Sequence, residues 1–452
     1  MGRRSVSLGM AAGLLLAGVA AVPAHAAVVN VACTEAALRT AIANSNAGTG
    51  DTLILASYCP YVLTDAGGGA LPQISQPLII QGNNATIKRD TAASNFRIFD
   101  VGATSLTMDT LTVMNGQGGN GGGVFLNTSG GSLTTTDVNF QGNGGANGGG
   151  IFAAAGTSVS LTGGTVSDNR STGLGGGIAG VSTASLTLDS VTVVRNRSGS
   201  FGGGVSLNTS TPAMITSSTI SNNTASAGGG GTVYAGSSSL TVTDSTITNN
   251  RVTSSTQGGA GIRFAASSTG TGMITGSTVS GNTVTGYTDI VSGNRGGGIH
   301  VSGGTLTVDS TTVSGNQLVG AFGQGGGIAA DEAVAASALT LQNGTALTAN
   351  LASGRYSQGG GLYAGNTSDV SVDTSSVDSN KVTGTGSAAA GLYNNGANVT
   401  FTGATVNNNT APSAPAPGGV YTTVPIGAGG TVTGNFPTNC LFSPQPVTGC
   451  IG

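Results

Sequence analysis

Apolar and hydroxyl residues alternate with period two in short runs of the form aliphatic-Thr-aliphatic, and these runs recur along the chain. Leu240-Thr241-Val242 leads to Ile247 and Asn250, and Leu306-Thr307-Val308 to Val313 and Asn316. Further copies run from Leu186 to Asn196 and from Val399 to Asn409. Between them stand glycine runs closed by an aliphatic residue, at Val124, Ile151, Ile178 and Val205, in three steps of 27. The marker continues at Val233, Ile262, Ile299, Ile328, Leu362, Leu392 and Val420, in steps of 28 to 37. A period of roughly 20 to 50 residues is the mark of a solenoid, whose units bury their apolar faces only by stacking. Alternation of Val, Ile, Leu and Thr suits a pleated, half-buried surface, and no repeat contains a helix-length amphipathic pattern. We therefore expect an all-β, right-handed parallel β-helix of about 11–13 coils, each built from three short strands and three turns.

Two residue types fit that geometry. Glycines allow positive φ and close stacking at a turn. An asparagine precedes each glycine run, from Asn115 and Asn143 to Asn380 and Asn409. These are expected to adopt left-handed turn conformations and to bond their amides to the equivalent residue one coil away. The ends read differently. Thr34–Asn44 carries Ala37, Leu38, Ala41 and Ile42 on one helical face, with Thr34 placed as N-cap and Glu35 in the first turn. A short helix there would cover the open end of the core. Asp51–Leu55 and Pro77–Ile80 look like the first strands, and the Pro-rich segment after Asn409 like the unravelling of the last coil.

The first residues change the compartment. Arg3 and Arg4, an apolar run from Val6 to Val22, and Ala24-His25-Ala26 have the order of a secretory signal, with cleavage before Ala27. The resulting division is a signal peptide over 1–26, a helical cap and first coils over 27–100, repeats over 101–420, and a C-terminal cap over 421–452. The mature chain would be secreted, extracellular or loosely surface-associated, monomeric and without a transmembrane segment. It would keep twelve basic residues against seventeen acidic ones, a balance that points away from nucleic acid. Four cysteines in an exported chain should form two disulfides, with three pairings formally possible. Cys33–Cys59 and Cys440–Cys450 are favoured, because each pair is close in sequence and the pairs lie at opposite ends.

The Gly-Gly-Gly-Ile steps with Ser-x-Asn and Asn-Asn-Thr segments resemble the repeats of polymorphic outer-membrane proteins and of the wider pectin-lyase-like β-helix superfamily. The run from Cys33 through "LPQISQPLIIQGNNATI" resembles secreted bacterial right-handed β-helix repeat proteins of unassigned activity. The first resemblance implies adhesion; its lyase side implies polysaccharide cleavage. A lyase would need clustered carboxylates for Ca²⁺ and an Arg or Lys base, and a hydrolase would need grouped Asp residues. Asp109, Asp189, Asp309 and Asp373 occupy one equivalent place and Asp137 and Asp244 the next, with Gly163, Gly276 and Gly403 interrupting, which reads as solvated turns. The glycine runs fit neither a calcium nonapeptide nor a phosphate loop. His300, the only histidine of the mature chain, reads as a surface side chain without a partner. No catalytic residue, metal or cofactor is assigned.

One asymmetry is more informative. The turn between asparagine and glycine run has four or five residues in the early repeats, then seven after Asn250, thirteen after Asn282, and eight after Asn316 and Asn350. Stacked, these insertions should form a ridge with Arg251, Tyr287, Asp289, Arg295, Phe322, Arg355 and Tyr356, in a chain that is 7% charged and 4% aromatic. Insertions on one face of a solenoid mark its binding face. The expected role is adhesion or binding of a polysaccharide or cell-surface protein. A polysaccharide lyase or hydrolase is the alternative. Binding of ice or another ordered surface through threonine ladders is third, although Met214 and Met273 interrupt the Thr107, Thr187, Thr241, Thr307 row.

Overall fold

A computed structural model describes residues 26–451, apart from 183, 254–257, 287–293, 332–335, 413–416 and 428. The signal sequence lies outside the described residues. The chain forms a right-handed parallel β-helix of about 14 turns. Every strand pair named below is parallel, because successive coils run the same way and pair one period apart.

A middle coil shows the unit. Ser185–Asp189 and Thr192–Val194 lie in one large sheet of 26 strands, Arg197–Ser198 in a second of 9, and Val205–Thr209 in a third of 12. Each coil from Val124 to Thr383 thus has four strand segments rather than three, because a bend divides the first face. The bend residue has positive φ, as at Asp137, Ser190 and Asp244. Leu186, Leu188, Val193, Val205 and Leu207 are buried and continue one apolar core along the solenoid. Their Thr and Ser neighbours alternate outward, as the period-two pattern requires.

The register corrects one marker. Val205 pairs with Thr232, and Thr232 with Ile262, so Thr232 and not Val233 closes the fifth glycine run. The run there has four glycines, Gly228–Gly231, which displaced the aliphatic residue by one in the linear reading. The glycines themselves have distinct reasons. Gly175 has φ +56, while a Cβ on Gly177 would meet the Asn196 amide at 3.1 Å.

That amide belongs to the ladder that organises the coils. Asn250 donates its backbone N–H and its Nδ2 to Asn282 Oδ1, at 2.9 and 3.0 Å, and donates Nδ2 again to Ile220 O at 2.8 Å. Its own Oδ1 accepts the same pair of bonds from Asn223. The pattern repeats without a gap from Asn143 through Asn409 to Asn435 and Asn439. Two expectations change. The left-handed residue is the one before the ladder asparagine, as at Asp168, Arg195 and Asn249. Asn115 is such a residue, and Gly116 takes its coil's place at the head of the ladder, donating to Asn143 Oδ1.

The N-terminal cap follows the sequence closely, whereas the last coil does not unravel at the Pro-rich segment. The helix spans Glu35–Ala47, with Thr34 Oγ1 accepting from Ala37 N at 3.2 Å and Leu38, Ala41 and Ile42 buried. One strand, Val28–Val31, precedes it and pairs with Asp51–Leu55. Cys33–Cys59 and Cys440–Cys450 are both disulfide-bonded. Stacking continues past the Pro-rich segment: Thr431–Thr433 pairs with Thr405–Asn407, and the ladder ends at Asn439, beside the C-terminal disulfide. Among the described residues no helix is long and apolar enough to cross a membrane.

Candidate functional site

The enlarged late turns separate into two groups of side chains. In the first, the Phe322 ring stacks on Tyr356 with centroids 5.2 Å apart, and the Arg355 guanidinium lies 5.4 Å from the Tyr356 ring. The backbone places them: Phe322 and Tyr356 both have positive φ, and Phe322 N–H donates to Arg355 O at 2.7 Å. The Tyr356 ring rests over Gly386, where a Cβ would approach it to 2.4 Å. Arg355 and Tyr356 are exposed. Arg251 is exposed too but stands elsewhere, opening a second-sheet strand in register with Thr224 and Thr283, below Arg170 and Arg197 of the early coils. Tyr287 and Asp289 lie outside the described residues.

Arg295 joins the second group, which the sequence reading missed. The outer face of the third sheet carries one column of residues in register: Val233, Arg263, His300, Ala329, Tyr363, Tyr393 and Tyr421. His300 is fully buried, and its Nε2 lies 3.0 Å from Asp331 Oδ1. The expectation of an unpartnered surface histidine is therefore wrong. Its partner is 31 residues away, at the end of the next coil's strand Ile328–Ala330, and only stacking brings them together. Arg295 Nε contacts the other Asp331 oxygen. Burial raises the Asp331 pKa, but the His300 and Arg295 contacts outweigh it and hold the carboxyl below its ordinary value.

Arg263 and the tyrosines frame this pair. The Arg263 guanidinium sits 5.2 Å from the Phe201 ring, and burial lowers its pKa to about 10, against the opposing field of Asp331. Tyr363 stacks on Tyr393 and Tyr393 on Tyr421, at 5.9 and 4.8 Å. Burial, with the two neighbouring phenols, pushes Tyr393 up to about 12. These tyrosines use their ring faces on one another, which suits a spine better than a ligand platform. A histidine–aspartate pair is the usual partner of a nucleophile or a proton in flight. Here the imidazole is sealed, so the pair fastens the coil of Arg295 and His300 to the coil of Asp331.

The acidic column is real in register but sparse. Asp109 and Asp189 are three coils apart, and Asp309 and Asp373 two. At about 4.8 Å per coil, no two members of it approach closely enough to share a cation. Asp309 is held low by bonds from Gln342, Ser310 and Asn343, which satisfy it as a turn residue. Among the described residues no group of three or more His, Cys, Asp or Glu side chains could hold a metal ion.

No curated protein and no solved structure matches this chain. One family model does, described as a right handed beta helix region, and over residues 98–284 the chain is similar to that family.

Proposed function

We propose that the chain is an extracellular, non-catalytic binding protein that holds a polysaccharide or cell-surface partner on the turns of its late coils. The observation that carries this reading is the Phe322–Tyr356–Arg355 group, a stacked aromatic pair of a half-buried Phe322 and an exposed Tyr356 with the exposed Arg355 guanidinium beside it, in a chain with few of either. Exposed aromatic and arginine side chains are the residue types that dominate binding energy at surfaces. Export is supported by the Met1–Ala26 pattern and by two disulfides, which persist in oxidising compartments. The test is incubation of the mature chain with acidic and neutral polysaccharides. Retention on one of them without release of reducing or unsaturated sugar ends is expected. Released ends would overturn the reading and favour the alternative, a secreted polysaccharide lyase or hydrolase, for which the contact between His300 and Asp331 is the one supporting observation.

A further inference from the structure

Among the described residues two arginines are buried, and only one finds hydrogen-bond acceptors for its guanidinium. Arg89 is 6% exposed, and its guanidinium donates to Asn115 O at 2.8 Å, Ala93 O at 2.7 Å and Asp90 O at 3.0 Å. Arg263 is 7% exposed, yet among the described residues its guanidinium makes no hydrogen bond or ion pair, and its Nε is sealed without a partner. The nearby acid is already committed, since Asp331 meets His300 through one oxygen and Arg295 through the other. Phe201 covers the guanidinium and offers it no acceptor. Deprotonation is no escape at neutral pH, because burial brings the pKa down only to about 10. A buried charge persists when something pairs with it. With Arg295 about one-third exposed in the next coil, the cluster holds, among the described residues, two guanidinium charges against one carboxylate.

We propose that Arg263 anchors an anion-binding site on the outer face of the third sheet, where its guanidinium fork takes one oxyanion group, a sulfate, phosphate or carboxylate, in two parallel hydrogen bonds. The group is either a free ion or a substituent on a polymer. The site is separate from the Phe322–Tyr356 ridge and does not depend on the function proposed above.

Thermal melting of the full mature chain tests it, with sodium sulfate compared against chloride at matched ionic strength. The wild-type midpoint should rise with sulfate and saturate. Arg263→Met should abolish the response and, without sulfate, melt at or above the wild type, because an unanswered charge has been removed. Arg195→Met, which breaks only the exposed pair with Asp168, should keep the full response. Equilibrium dialysis with labelled sulfate should find one site per chain, weakened at least tenfold by Arg263→Met. Dextran sulfate competing better than free sulfate assigns the polymer-borne source, and equal competition per sulfate assigns the free ion. An Arg263→Met variant that responds like the wild type would sink the proposal. So would a wild-type chain that binds no sulfate in dialysis, whether or not the variant folds.

Discussion

The early and late coils share one scaffold and differ in what they hang on it. From Ile151 to Thr232 the sheet-three register advances by 27 residues at every step, and the outward column passes through Ala179 and Ser206. From Ile262 to Ile299 the step is 37, and the same column carries Arg263, His300 and then the tyrosines. The asparagine ladder crosses the boundary unchanged: the Asn223–Asn250 and Asn282–Asn316 links have the same two bonds at 2.9 to 3.0 Å. Insertions are therefore absorbed in turns while the ladder keeps the coils in step. Regularity here goes with the asparagine ladder, and departure from it with the charged and aromatic side chains.

If that division holds, the largest effect should come from the ladder and be equal on both sides. Asn250→Ala leaves two Asn223 donors and the Ile220 carbonyl unanswered in the interior. We expect a loss of about 3 kcal/mol, because each orphaned buried group costs on the order of 1 kcal/mol or more. Asn196→Ala should cost the same. Urea denaturation followed by circular dichroism measures both, and a late substitution costing far less than the early one would break the comparison.

The next effect belongs to the late coils alone. Asp331→Asn removes the charge that ties His300 and Arg295 while keeping an isosteric side chain, at about 2 kcal/mol near neutral pH, the worth of a hydrogen bond to a charged group. Because the folded carboxyl titrates below its unfolded value of about 3.9, its contribution is complete above that value and lost as pH falls through the folded pKa. The gap between wild type and variant should close in acid. A constant gap from pH 7 to pH 3 would show that the carboxylate charge is not what the cluster uses. Smallest of all, Arg195→Ala in an early coil should leave the melting temperature unchanged, since Arg195 and Asp168 meet in solvent.

The fold was legible because a solenoid writes its period directly into the chain. Glycine runs, ladder asparagines and the alternating Thr pattern each repeat once per coil, so counting recovers topology. Counting also predicts that Arg263 and His300 share a column, as both follow the residue closing a glycine run, Ile262 and Ile299. The contact with Asp331 was harder. It joins the second position of one strand to the residue just beyond the next, across a turn whose length differs from its neighbours. Conformation at the ladder was misassigned for a related reason. Asparagine favours both left-handed backbone and amide stacking, and only the register shows that the preceding residue takes the first role. The ridge was readable as inserted length, but length does not say that Arg295 turns away from it toward Asp331.

The central claim, that a polysaccharide or cell-surface partner is held on the late turns, is tested most directly by a glycan array probed with the wild type, a Phe322→Ala/Tyr356→Ala double variant and the early-coil variant Arg195→Ala. The account predicts that the double variant folds, with an unchanged far-ultraviolet spectrum, and loses at least tenfold in binding, while Arg195→Ala binds like the wild type. Unchanged binding by the folded double variant would contradict it.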